Sequence, residues 1–135
     1  MKLPDKPSEL IMVALKDLNA CDRSGTYTVD MKTWHTYDIG SNTCVVCLAG
    51  SVMAQTLKVA NDRSTSPDFF PTEIDDKLNA LNDFRQGYVS LGLYSMGLRS
   101  EQDPAFVHIT SFEEDKEKFF MDMTDMANRL AQVGL

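Results

Sequence analysis

The sequence predicts an α+β domain that is mostly helical, with four or five packed helices and a small β element of two or three strands. Apolar residues recur at helical spacing over several long stretches, whereas only two short runs are rich in β-branched and aromatic residues. Two such runs cannot cover five amphipathic helices, so helix-on-helix contacts should form the main core. A length of 135 residues with 43% apolar residues is typical of one globular domain, predicted over residues 1–135.

The first predicted helix begins near Pro7 and ends at Ser24-Gly25. At about 100° per residue, its apolar side chains form one stripe. The stripe consists of Leu10, Ile11, Ala14, Leu15, Leu18 and Cys21. A β-prone segment at residues 27–31 predicts a short strand, which residues 31–37 can continue before a turn at residues 38–40.

A nearly buried helix is predicted over residues 43–60, with Ser41 or Asn42 as its N-cap. In helical projection, Cys44 falls inside a narrow polar stripe centred on Ser51, and Cys47 falls at the edge of that stripe. The expected buried face consists of Val45, Ala49, Val52, Met53 and Leu57, and the expected solvent edge consists of Gln55 and Lys58.

The second half of the chain predicts a surface loop at residues 61–71, followed by a helix from Thr72. Phe69 and Phe70 are expected to hold the loop against the core, because two adjacent exposed phenylalanines would form an apolar patch. A helical pattern over residues 88–98 and a strand over residues 105–109 follow. A capping-box pattern at Ser111-x-x-Glu114 precedes a strong final helix. The expected apolar face of that helix consists of Phe112, Phe119, Phe120, Met123, Met126, Ala127, Leu130 and Val133.

Thirteen basic and twenty acidic residues give a net charge of −7, which argues against nucleic acid and anionic membranes as partners. The longest apolar run, residues 44–50, is far too short for a membrane span, and the N-terminus lacks a signal-peptide core. Three cysteines without an export signal predict a cytoplasmic protein. Met121 is expected to point outward, where it could serve a homo-oligomer interface.

Cys44 and His35 are the candidate catalytic residues. A thiol at a helix N-terminus meets unpaired N–H groups and the positive end of the helix dipole, both of which favour the thiolate. His35 would serve as the base if its segment packs across that terminus. Trp34, His35, Cys44 and Cys47 together are the candidate binding residues.

Three alternatives compete with a nucleophilic role for these cysteines. The cysteines can simply be small buried side chains in a closely packed core, since their neighbours are apolar. The C-x-x-C spacing is that of thioredoxin-like redox sites, but those follow a core strand, and a polar turn precedes this pair. Zinc needs four ligands, and the chain lacks a second closely spaced pair. The sequence therefore predicts neither a metal site nor a cofactor.

Trp34-His35 and the run CVVCLAGSVMA at residues 44–54 resemble a segment of small, uncharacterised bacteriophage-type proteins. A later segment, residues 78–87, is similar to a helix of the same proteins. The resemblance implies a phage or phage-like origin and carries no activity. The leading hypothesis is a small soluble, non-enzymatic binding or accessory protein with a protein or small-molecule partner. The alternative is a cysteine-dependent enzyme or redox protein that uses Cys44 with His35.

Overall fold

The computed structural model describes residues 3–83 and 109–135. These residues form four α-helices: α1, Pro7–Ser24; α2, Leu48–Gln55; α3, Thr72–Asp83; and α4, Lys116–Gln132. They also form three short strands: β1, Tyr27–Val29; β2, His35–Asp38; and β3, Thr43–Val46. The predicted class, α+β and mostly helical, is confirmed.

The sheet has the strand order β1-β3-β2, so β3 lies at its centre. β1 runs parallel to β3 with Tyr27 opposite Cys44, and β2 runs antiparallel to β3 with His35 opposite Val46. Residues 39–42 join β2 to β3. Asn42 has a φ of 55° there, a left-handed conformation that asparagine tolerates better than most residues.

The prediction of a helix over residues 43–60 was wrong at both ends. Residues Thr43–Val46 form β3, and the helix spans only Leu48–Gln55. The adjacent β-branched residues Val45 and Val46 favour a strand, and backbone pairing on both sides of β3 stabilises it. Val45 and Leu57 are consequently half-buried rather than inaccessible, whereas the other three residues of the expected buried face are buried.

The helices enclose one main apolar core. α1 packs against α2 and α4, and all four helices contribute buried side chains to one cluster. α1 and α4 are antiparallel, because Ser8 donates from its amide and its hydroxyl to the carbonyl of Leu135 at 3.3 and 2.8 Å, while Lys116 pairs with Asp22 at 2.9 Å at the opposite end. The apolar stripe predicted for α1 is buried throughout.

The final helix differs from its prediction at both ends. Its N-cap is Asp115, whose side chain accepts from the amide of Lys118 at 3.1 Å. Ser111 accepts from the amide of Glu114 at 3.2 Å in a turn that precedes the helix. Val133 lies beyond the last helical residue and is half exposed, so it is not part of the buried face.

Two predicted elements lie outside the described residues: the helical pattern over residues 88–98 and residues 105–108 of the predicted strand. Two predicted side-chain positions also lie outside them: Phe84 on the inward face of the helix from Thr72, and His108, half-buried in that strand. Ile109 is buried but belongs to no strand. Within residues 3–83 and 109–135, no helix has the length and apolar character needed to cross a bilayer.

Candidate functional site

The four predicted binding residues meet where β2, β3 and α2 join. Cys47 is the N-cap of α2, and its sulfur accepts from the amide of Gly50 at 3.4 Å. The amide of Cys47 in turn donates to the carbonyl of Trp34 at 3.3 Å. The prediction that Cys44 lies at the start of the helix, with Ser41 or Asn42 as its N-cap, was therefore wrong: Cys44 lies in β3, and the thiol at the helix start is that of Cys47.

Ser51 lies in the first turn of α2 and is fully buried, which corrects its assignment to a polar stripe. Its amide and its hydroxyl both donate to the carbonyl of Cys47, at 2.9 and 2.8 Å. A serine hydroxyl that bonds to the preceding turn of its own helix can be buried without an unsatisfied polar group. Ser51 is thus a structural residue of the helix start.

His35 and Cys44 are in contact across the β2–β3 pair. The sulfur of Cys44 lies 3.4 Å from Nε2 and 3.7 Å from Nδ1 of His35, within hydrogen-bond reach. The structure thus brings the two candidate catalytic residues together. It also buries them, since Cys44 is 1% exposed and His35 is 0% exposed.

The surroundings of this pair favour its neutral form. Burial raises the pKa of Cys44, and the nearby Cys21 raises it further, against a smaller opposing effect of a backbone hydrogen bond at Val45. Burial likewise lowers the pKa of His35, although backbone hydrogen bonds at His35 itself and at Arg63 oppose this shift. A thiolate–imidazolium pair requires the opposite shifts in both residues.

Cys21 completes a small second cluster of buried residues with Cys44, Val46 and Ala54. It accepts a weak hydrogen bond from the side-chain amide of Gln55 at 3.5 Å, and burial raises its pKa. The expected burial of Cys21 on the apolar stripe of α1 is confirmed. No disulfide joins the three cysteines, and all three are buried.

A surface groove of about 430 Å³ adjoins the buried pair. The loop that follows α2 runs along the outer edge of β2, where the amide of Thr65 donates to the carbonyl of His35 at 2.8 Å. The groove lies between that loop and residues 32–36. Half-buried Trp34 lines the groove, whereas His35, having no exposed surface, lies behind its wall.

Phe69 lines the same groove and is 77% exposed, so its expected packing against the core was wrong. Phe70 alone packs against the core. The reason is the short 3-10 helix Pro67–Phe69, in which Pro67 is buried and anchors the loop in place of Phe69. Residues 64–66 and Phe69 were missed as candidate site residues, because an Ser/Thr/Pro-rich loop carries no motif that distinguishes a binding surface from an ordinary connection.

In the part of the chain that the structure describes, no group of three or more His, Cys, Asp or Glu side chains could hold a metal ion. Cys44 and His35 touch each other, and no carboxylate of residues 3–83 or 109–135 joins them in such a group. No protein family, no curated protein and no solved structure matches this chain. The geometry of the site is therefore the basis for any functional assignment.

Proposed function

We propose that this protein is a non-enzymatic binding or accessory protein of a bacteriophage or phage-like element, and that it acts in the cytoplasm. The observation that carries the binding role is the groove of about 430 Å³ lined by Trp34 and Phe69. The phage origin rests on the sequence resemblance of residues 34–35 and 44–54 alone. The cytoplasmic location is supported by three cysteines that no disulfide joins, a state that a reducing compartment preserves.

The exposure of Phe69 supports a binding role. A phenylalanine that remains 77% exposed contributes little burial to the folded chain. Tryptophan and other aromatic side chains are enriched where proteins contact partners, because they offer a large, rigid apolar surface. Trp34 and Phe69 line one concave surface, which is the arrangement expected of two anchors for a single ligand.

The alternative is a cysteine-dependent enzyme, and one observation favours it: the distance of 3.4 Å between the sulfur of Cys44 and Nε2 of His35. Two observations weigh against it. The thiol has 1% of its surface exposed, so a substrate cannot reach the sulfur in this conformation. Burial also shifts both pKa values towards the neutral pair, which is a poor nucleophile.

The binding role can be tested with a display library of short random peptides and a library of small organic fragments. Trp34 is the only tryptophan in the chain, so its fluorescence and its indole N–H resonance report directly on the groove. Phe69→Ser removes one aromatic wall. Met121→Ser is a matched control, since Met121 is 70% exposed and lies on α4.

Binders selected on the wild type should shift the Trp34 signals and lose affinity on Phe69→Ser, by about tenfold for the loss of one aromatic anchor. Met121→Ser should bind as the wild type does. The assignment of this groove would be contradicted by binders that leave the Trp34 signals unchanged, or by binders whose affinity falls on Met121→Ser instead. The Met121 result would favour the predicted interface on α4.

A further inference from the structure

The groove beside Trp34 continues into a second one. The second groove, of about 330 Å³, is lined by residues of the segments 57–59 and 63–65 together with Phe69 and Phe70. Ser64, Thr65 and Phe69 line both grooves. The two grooves therefore adjoin at this loop, and together they form a longer surface than a compact small molecule would cover.

The charge of this double groove is opposite to that of the whole protein. Its lining residues include Lys32 in the first groove and Lys58 and Arg63 in the second, and they include no aspartate or glutamate. The chain as a whole has a net charge of −7. A surface that carries only positive charge in so acidic a protein is complementary to an anionic ligand.

No salt bridge among the described residues neutralises the three charges of the groove, although Lys58 interacts electrostatically with Asp17. Lys32 and Arg63 form no salt bridge within residues 3–83 and 109–135. The nearest carboxylates along the chain are Asp30, Asp62 and Asp68, and none of them lines either groove. Asp30 accepts from the amide of Lys32 at 2.9 Å, so it stabilises a turn of the backbone and does not pair with the ammonium group of Lys32.

The backbone at Lys58 adds an independent observation. Lys58 has a φ of 61°, in the left-handed region that glycine adopts without cost and that is common where a helix ends. A lysine in this position is strained relative to glycine. Lys58 is nevertheless exposed and lines the second groove, where a glycine would adopt the same conformation without strain but would carry no charge.

We infer that the double groove binds an acidic, extended peptide segment of a partner protein, with an aromatic or apolar side chain of that segment seated between Trp34 and Phe69. The inference rests on the proposed function and adds the chemical class of the partner. An extended segment fits the length of the two adjoining grooves. Its carboxylates would meet Lys32, Lys58 and Arg63, while its apolar side chain would cover the aromatic walls.

The test uses three synthetic peptides of equal length, with phenylalanine alternating with glutamate, with glutamine or with lysine. Each is titrated into the full-length protein while Trp34 fluorescence is recorded at low and at high salt. The variants are the double replacement Lys32→Glu with Arg63→Glu, and the matched double control Lys6→Glu with Arg23→Glu, which makes the same change in net charge at two exposed residues that line neither groove. Circular dichroism checks that each variant is folded.

The glutamate peptide should bind the wild type about tenfold more tightly than the lysine peptide at low salt, and this preference should shrink at high salt. The double replacement in the groove should abolish or reverse the preference, and the double control Lys6→Glu with Arg23→Glu should keep it. Equal affinity for all three peptides would overturn the acidic partner while leaving the groove as the binding site. If no peptide changes the Trp34 signal, both the partner class and the proposed groove are wrong.

Discussion

The backbone carbonyl of Trp34 lies so close to Gly50 that a β-carbon at position 50 would stand 1.5 Å from the carbonyl oxygen. The first turn of α2 therefore approaches the segment before β2 as only glycine permits. The same carbonyl accepts the amide of Cys47, the N-cap of α2. Trp34, Cys47 and Gly50 thus share a direct structural role.

Gly50→Ala should destabilise the protein by on the order of 3 kcal/mol, even though alanine is ordinarily the better helix former. The reason is that the neighbouring atom is backbone and cannot move without displacing β2 from the helix start. Urea unfolding followed by circular dichroism measures the change. The control is Gly40→Ala, because a β-carbon there would meet only Asp38, at an ordinary 3.5 Å. Equal stability of the two variants would show that α2 and the Trp34 segment can separate freely.

The long helices could be predicted from the sequence because their apolar spacing is regular over many residues. The stripe on α1 and most of the face on α4 are buried as expected. The structure of residues 43–47 could not be predicted from the sequence, because a short apolar run fits a buried strand as well as a buried helix. Pairing decides between them: β1 lies on one side of this segment, more than ten residues away along the chain, and β2 lies on the other side, across the turn at residues 39–42.

The candidate site was predictable only in part, for a related reason. The contact of His35 with Cys44 was among the possibilities that the sequence raised, and it arises from register: the two residues face each other diagonally on paired strands. Their burial and the exposure of Phe69 depend on how the loop after α2 folds over β2. No local pattern in residues 61–71 carries that information.

The buried imidazole of His35 predicts a pH dependence of stability. Burial lowers its pKa from the ordinary 6.5, so near and below that pH the unfolded chain binds a proton that the folded protein does not. The stability that neutral His35 provides is complete above pH 6.5 and decreases as the pH falls through that value. Urea unfolding across this range should show that the free energy of unfolding decreases more steeply with falling pH for the wild type than for His35→Gln. The other histidine is present in both proteins, so its contribution to the pH dependence cancels in the comparison. If the free energy of unfolding varied with pH in the same way for both proteins, His35 would have to be solvated rather than buried.

Lys58 provides a test of backbone strain. Because its φ is 61°, Lys58→Gly should stabilise the protein relative to Lys58→Ala by about 1 kcal/mol. The comparison with alanine matters, because both variants remove the lysine charge, which partly opposes the burial that raises the pKa of Asp17. Thermal and urea unfolding measure the difference. A more stable alanine variant would indicate that residue 58 does not hold the left-handed conformation in solution.

Thiol reactivity separates the two functional hypotheses most directly. Cys44 is 1% exposed and burial raises its pKa, so iodoacetamide should label it only when the structure opens. Labelling in the native protein should be on the order of 10³ times slower than in urea, as an opening free energy of about 4 kcal/mol requires. Peptide mapping by mass spectrometry distinguishes Cys44 from the other two thiols.

The matched control for this measurement is Ser41→Cys, which places a thiol at an exposed position of the turn that precedes β3. That thiol should react at the rate of a free cysteine, with the ordinary pKa of about 8.5. If Cys44 instead reacts as fast as the thiol at position 41, with a midpoint well below that pKa and an upward shift in His35→Gln, then the pair is an activated nucleophile. The enzyme hypothesis would then replace the binding one. Slow labelling of Cys44 with no such shift is the result that burial of both residues predicts.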